Sequence, residues 1–307
     1  MPPDILLETL TLTLSQRERE QVRPRSALGR AVPLLESAGV EEPRLVAELL
    51  LAHALRCGRA QLYAHPDEPL ERNARRRWRG YLRRALQHEP AAYVLRRREF
   101  YDLDFYVDRR VLIPRPETEL LVEQAIAWAR AFAGREGHPP RLADIGTGSG
   151  AIAVSLATQL PAARVDATDI SPAALRVARR NARRHGVDER ITFLPGNLLQ
   201  PLPTLVDLVV ANLPYVSDAE LVALPPHIAA YEPRGALAGG PDGLDVVRAL
   251  FAQVPARVKP GGALLLEVSA SQGESAAALA RATFLGAEVS VLTDLAGLPR
   301  MLRVQLA

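Results

Sequence analysis

Three groups of residues in this chain have the types and spacing that chemistry needs. The first lies in RLADIGTGSGAIAVSLAT, residues 141–158, where Gly146, Thr147, Gly148, Ser149 and Gly150 separate an apolar run from a helical pattern. Glycine permits positive φ and lets the backbone approach a ligand where a Cβ would collide. The helix that follows offers unpaired N–H groups at its N-terminus. The second is Asp169, nineteen residues past Gly150 at the end of the next apolar run, where an acid can grip ribose hydroxyls. The third is Asn212-Leu213-Pro214-Tyr215, directly after the apolar strand LVDLVVA.

Taken alone, the glycine stretch leaves two ligands open. Gly146, Gly148 and Ala151 satisfy a G-x-G-x-x-A dinucleotide fingerprint. Asp144 with the three glycines also makes a compact D-x-G-x-G-x-G loop, which suits S-adenosyl-L-methionine, since a cationic sulfonium tolerates a nearby carboxylate and a pyrophosphate does not. The Asn212 turn adds the second signal. In a doubly wound sheet, ligands sit beyond the carboxyl ends of strands, so this turn is expected across the same cleft from the glycine loop. A planar NH2 group is a poor nucleophile because its lone pair is delocalised. An asparagine oxygen and a backbone carbonyl can accept both of its N–H bonds, fix the nitrogen before a methyl donor and favour its developing positive charge. Tyr215 is expected to supply an aromatic wall.

The elements that must hold these residues follow from composition and pattern. The chain has 307 residues, 48% of them hydrophobic, enough for one large or two moderate domains. Aromatic residues make up only 5%, so stacking surfaces for single-stranded nucleic acid are scarce. One cysteine, Cys57, excludes an internal disulfide and suits a reducing compartment. Six histidines without ligand spacing give no metal site. The opening residues lack a basic leader followed by an apolar core, and no run reaches transmembrane length, so a cytoplasmic protein without membrane contact is expected. The net charge is +3, and arginines cluster at 72, 75, 76, 77, 79, 83 and 84 and again at 96–98. That cluster reads as a solvated helix face or as a docking surface for an acidic partner.

Along the chain, residues 1–25 read as a polar extension and 26–90 as a small helical bundle, with stops at Gly39 and Gly58 and an end at Pro90. Residues 91–140 read as a linker: a hairpin over Tyr93–Ile113, then a helix from Pro116 to about Phe132. From Arg141 strands and helices alternate: strands at 141–145, 164–168, 191–194, 205–211 and 263–268, with helices at 151–159, 172–185, 244–258 and 272–281. Two closely spaced strands near 287–293 and 301–306 suggest an antiparallel edge pair. This pattern predicts an α/β fold, a seven-stranded, mostly parallel Rossmann-like sheet of the class I S-adenosylmethionine-dependent methyltransferase form, over 141–307.

The chain resembles the HemK-type release-factor glutamine methyltransferases from about Ser26 to the end. The stretches that carry the resemblance are REFYDLDFYVD, VLIPRPETELLVE, DIGTGSGAIA, NLPY, YEPRGALAGGPDGLD, LLLEVSASQGE and DLAGLPR. The resemblance implies methyl transfer from S-adenosyl-L-methionine to a side-chain amide nitrogen. The implied target is the glutamine of the Gly-Gly-Gln motif in peptide-chain release factors, and the helical bundle would then recognise that substrate. It also implies cofactor contacts at Gly146 to Gly150, Asp169, Asn197, Leu198 and Asn212, and puts substrate binding and catalysis at Asn212, Leu213, Pro214 and Tyr215. Phe100 and Pro116 to Glu119 are expected near the donor. His227, Glu232 and Asp242 either rim the substrate entrance or are ordinary loop polarity.

Four positions depart from the family pattern. Leu213 stands where a proline is usual, Asn197 where an aspartate is frequent, and Arg96 and Ser269 where glycines are usual. Three other readings stay open: a ribosomal-protein glutamine methyltransferase, a nucleic-acid amino methyltransferase, and an inactive cofactor-binding module. The preferred reading needs no direct nucleic-acid contact.

Overall fold

Pro24 and Pro43 each open a helix, because proline fixes a helical φ and its missing N–H is not needed in the first turn. A computed structural model of the protein describes residues 22–307. The expected extension at residues 1–25 falls almost wholly outside them. Two compact units emerge, one of residues 22–96 with 226–231, the other of 97–225 with 232–307.

The first unit is helical: α1 (Pro24–Ser37), α2 (Pro43–Leu55), α3 (Arg59–Ala64), α4 (Arg72–Leu86) and α5 (Ala91–Leu95). Ala27, Ala31 and Leu35 recur at helical spacing on α1 and pack with Leu50, Leu51, Trp78 and Leu82 in one apolar core. Fully burying a leucine there contributes about 1.5–3 kcal/mol. Two stops differ from expectation. Arg56, in the left-handed conformation, closes α2, and Gly58 caps the start of α3 instead. Helical structure also continues past Pro90, since α5 occupies 91–95 where a hairpin was expected to begin. Arg72, Arg76, Arg79 and Arg83 are exposed on α4 and spaced to share one face.

The second unit opens with a tight antiparallel hairpin, β1 (Arg98–Phe100) and β2 (Leu103–Phe105). α6 (Thr118–Glu136) follows, starting two residues after Pro116 and ending at Gly137, beyond the expected stop. Then come β3 (Arg141–Ile145), α7 (Ala151–Gln159), β4 (Arg164–Asp169), α8 (Pro172–Arg184), β5 (Ile191–Pro195) and β6 (Val206–Ala211). A two-residue strand β7 (Val216–Ser217) pairs in parallel with β8 (Ala238–Gly240), a contact too short to leave a pattern in the sequence. α9 (Asp245–Phe251), β9 (Val258–Glu267), α10 (Gly273–Thr283), β10 (Glu288–Thr293) and β11 (Pro299–Gln305) complete the unit.

Seven strands form one sheet in the order β10-β11-β9-β6-β3-β4-β5. β5, β4, β3, β6 and β9 run parallel, and β11 alone is reversed, pairing antiparallel with both β9 and β10. The fold is therefore the α/β, mostly parallel seven-stranded form that the alternation predicted, beside an N-terminal helical unit. The helix expected over 244–258 is shorter. Val247, Phe251, Val254 and Val258 keep helical spacing, but Pro255 lacks the amide that a continuing helix needs. The chain instead makes a short 3-10 turn at Val254–Ala256 and enters β9 at Val258. No helix among the described residues is long and apolar enough to cross a membrane.

Candidate active site

The sheet brings its strand ends to one level. Ile145 of β3 lies opposite Thr168 of β4 and Ala211 of β6, and Ala211 lies opposite Leu266 of β9. The next residues, Gly146, Asp169, Asn212 and Glu267, therefore emerge side by side. The strand order turns between β3 and β6, the place where doubly wound sheets open a crevice. A cleft of about 350 Å³ occupies it, with Gly146 to Ser149, Asp169, Asn197, Leu198, Asn212, Leu213 and Pro214 among its walls. That volume is at the lower end of the range for small-molecule sites.

Gly146, Gly148 and Gly150 all take positive φ, which explains the alternating glycines. A Cβ on Gly146 would stand 3.3 Å from Leu213 Cδ2, so the loop and the Asn212 turn are in contact. A Cβ on Gly150 would meet Ala178 at 3.1 Å, so this glycine serves the approach of α7 to α8 and does not line the cleft. The amides of Gly146 and Thr147 both donate to the Thr168 carbonyl at 2.9 Å. Buried Asn181 of α8 donates to the Ser149 carbonyl at 2.8 Å, a tether absent from the sequence-based expectations.

The two aspartates near the loop differ in role. Asp169 accepts the Gly148 amide at 2.9 Å on one oxygen and the Ser171 amide at 2.8 Å on the other. Each oxygen keeps a lone pair for a further donor. Burial raises its pKa above the ordinary carboxylate value. Asp144 is fully buried and does not itself border the cleft. It accepts the Thr147 hydroxyl at 2.6 Å and the Ala153 amide at 3.0 Å, holding the loop to the first turn of α7. Burial pushes its pKa up to about 7.

Asn212 is anchored by residues distant in sequence. Its Nδ2 donates to Thr118 Oγ1 at 3.1 Å, and Thr118 Oγ1 donates to Glu267 Oε2 at 2.6 Å. The Tyr215 hydroxyl reaches Glu267 Oε1 at 3.4 Å. Thr118 and Glu267 are buried, and burial pushes the Glu267 carboxyl up to about 7. Because the amide NH2 of Asn212 is tied to Thr118, its Oδ1 is the end free to serve the cleft. Gln272 fixes the following backbone: its Nε2 donates to the carbonyls of Tyr215 at 2.9 Å and Asp242 at 3.1 Å.

Of the expected site residues, Gly146, Thr147, Gly148, Ser149, Asp169, Asn197, Leu198, Asn212, Leu213 and Pro214 border one cleft. Tyr215 lies against Glu267 and is not part of the cleft wall. Phe100 is buried edge-on to Phe105, away from the wall. Within 116–119 only Thr118 reaches the cleft, while Glu119 accepts the Tyr101 amide. Glu232 is buried in an ion pair with Arg115 at 2.6 Å, and Asp242 pairs with Arg248. Neither carboxylate borders the cleft, nor does His227. Among the described residues no group of three potential metal ligands comes together.

The departures from the family pattern have physical readings. Leu213 is buried with its side chain against Gly146. Arg96 has φ 54, the left-handed conformation in which glycine is least strained. The Ser269 amide donates to Gln272 Oε1 at 3.2 Å, which needs no particular side chain.

Comparison with known proteins places this geometry. Residues 26–95 match the PrmC N-terminal domain, and residues 129–224 match the methyltransferase small domain. The chain is 47% identical over 278 residues to the release factor glutamine methyltransferase of Moorella thermoacetica, covering 90% of this chain and 96% of that one. With the protein of the same name from Cereibacter sphaeroides it shares 41% identity, covering 93% and 99%. Among solved structures, the hMettl16 catalytic domain bound to MAT2A 3′UTR hairpin 1 aligns with a TM-score of 0.53 at 16% identity, covering 70% of this chain and 78% of that one. That likeness is one of fold. The identities across nearly the whole length show that this chain belongs to the release factor glutamine methyltransferase family.

Proposed function

We propose that this protein transfers the methyl group of S-adenosyl-L-methionine to the side-chain amide nitrogen of the Gly-Gly-Gln glutamine in peptide-chain release factors. The observation that carries the reading is Asn212 on the cleft wall beside the glycine loop with its NH2 bonded to Thr118, which leaves Oδ1 as the acceptor for the substrate. The names of the relatives supply the substrate.

The cleft fits the cofactor. Gly146 to Ser149 form a wall in which two residues have no Cβ, and Asp169 keeps acceptor capacity for two ribose hydroxyls. Asn197 and Leu198 border the part assigned to adenine. When bound, S-adenosyl-L-methionine supplies an electrophilic methyl carbon. The chain does the rest by positioning. Asn212 Oδ1 and the Leu213 carbonyl accept the two N–H bonds of the glutamine amide and aim its nitrogen. As that nitrogen gains positive charge, both acceptors bind it more strongly, which is differential stabilisation of the transition state. Asparagine has no useful proton-accepting pKa, so the surplus proton leaves to water. Tyr215 is read as supporting the site through Glu267.

The helical region over 26–90 is proposed to receive the body of the release factor, 91–140 to connect, and 141–307 to carry catalysis. The cytoplasm is the proposed compartment, consistent with the lone Cys57. The test is mass spectrometry of a release factor incubated with protein and cofactor. One added methyl on the Gly-Gly-Gln glutamine supports the reading, and an unmodified or differently modified peptide refutes it.

A further inference from the structure

A hydroxyl has one hydrogen, and where it points decides what its neighbour must present. Thr118 Oγ1 lies between Asn212 Nδ2 at 3.1 Å and Glu267 Oε2 at 2.6 Å. An ionised Glu267 can only accept, so it takes the Thr118 hydrogen. Thr118 then shows Asn212 lone pairs alone, and the Asn212 amide must turn its NH2 inward and its oxygen to the cleft. Without an acceptor at 267 the Thr118 hydrogen is free to point at Asn212, and the inverted amide becomes equally satisfied. Inverted, Asn212 would offer N–H to an incoming NH2, a donor facing a donor.

We propose that Thr118 and Glu267 are positioning residues that set the polarity of the Asn212 amide. The inference rests on the acceptor role given to Asn212 above. The family resemblance puts Thr118 near the donor without tying it to Asn212 and gives Glu267 no role, and the pair stands 149 positions apart in sequence.

The surroundings of Glu267 make this arrangement sensitive to pH. Burial and the nearby Glu117 carboxylate disfavour its charge. The Thr118 hydroxyl at the start of α6, the Tyr215 hydroxyl and the Arg300 guanidinium of β11 favour it. Arg115 faces Tyr215, and Asp294 engages Arg300. The balance holds Glu267 near neutrality, at about 7. A protonated Glu267 no longer demands the Thr118 hydrogen, so the productive amide orientation is lost as pH falls through that value.

The experiment measures single-turnover methylation of intact release factor at saturating cofactor, between about pH 6 and about pH 8, with cofactor affinity by calorimetry. Wild type is expected to be about tenfold slower at the lower pH, following the ionised fraction of one group. Glu267→Met, which leaves no carboxylate or amide acceptor, and Thr118→Val are expected to be about tenfold slower at the higher pH, the cost of one mis-set hydrogen bond, with that acid limb flattened. Cofactor affinity should fall by clearly less than the rate does, since the pair acts through Asn212 on the substrate amide. Thr118→Ser restores the hydroxyl and should restore both the rate and the acid limb. Wild-type rate and pH dependence in Glu267→Met or Thr118→Val would overturn the inference, as would an equal loss of cofactor affinity, the mark of general disruption. Should the valine variant not fold, the methionine and serine variants decide the same question. Absence of glutamine methylation by wild type would instead refute the underlying function.

Discussion

Asp169 closes β4 with each carboxylate oxygen held by one backbone amide, so its remaining lone pairs are fixed in direction before any ligand arrives. Asp169→Ala is expected to weaken S-adenosyl-L-methionine binding by about 1.5–3 kcal/mol, the range for hydrogen bonds to a charged group. Calorimetry checks this, and unchanged affinity would remove Asp169 from the cofactor site. At this scale the sequence was legible where one residue announces its own constraint. Alternating glycines imply positive φ, an acid ending an apolar run implies a hydroxyl partner, and an asparagine before Leu-Pro-Tyr implies a turn with an acceptor. It was silent where a role arises from contact. In the contacts that hold the cleft, Thr118, Glu267, Gln272 and Asn181 meet partners 30 to 149 positions away. The one local trace was the acid that ends LLLE at 267. Tyr215 was read as a wall because aromatic rings often serve that way, and its hydroxyl's attraction to Glu267 has no local pattern.

The loop from β3 to α7 depends on a carboxyl group that the sequence placed in the glycine motif without showing its partners. Asp144 binds the Thr147 hydroxyl and the Ala153 amide in complete burial, so it ties strand, loop and helix together. Its pKa is raised from 3.8 to about 7. A raised value means the folded state binds a proton that the unfolded state releases. The stability this provides is fully present below the unfolded value and is lost as pH rises to the folded one. Asp144→Asn removes the titrating group. Between about pH 5 and about pH 8 the stability difference should therefore shift by about 2–3 kcal/mol in favour of the variant. Denaturant unfolding at both pH values checks this, and parallel curves would contradict it. Element types were well read wherever apolar runs alternate with helices, because a parallel sheet buries both faces of each strand. The exceptions have local causes. Pro255 broke a spacing that otherwise looked helical, and β7–β8 pairs over too few residues to be seen.

The two units divide the chain into a region that carries the cleft and a helical region that carries none of its wall. If the helical region receives the body of a release factor, binding remote from the reacting amide must support catalysis. An isolated Gly-Gly-Gln peptide should then show kcat/KM lower than the intact factor by about two orders of magnitude, since roughly 3 kcal/mol of remote contact is lost. Equal values for both substrates would leave the helical region without a part in recognition. The central claim is that Asn212 positions the glutamine amide, and single-turnover methylation of intact release factor by full-length Asn212→Ala at saturating cofactor tests it most directly. The expected rate is about two to three orders of magnitude below wild type, as for a lost preorganised acceptor, with cofactor affinity little changed. A rate near that of wild type would contradict the acceptor site described here.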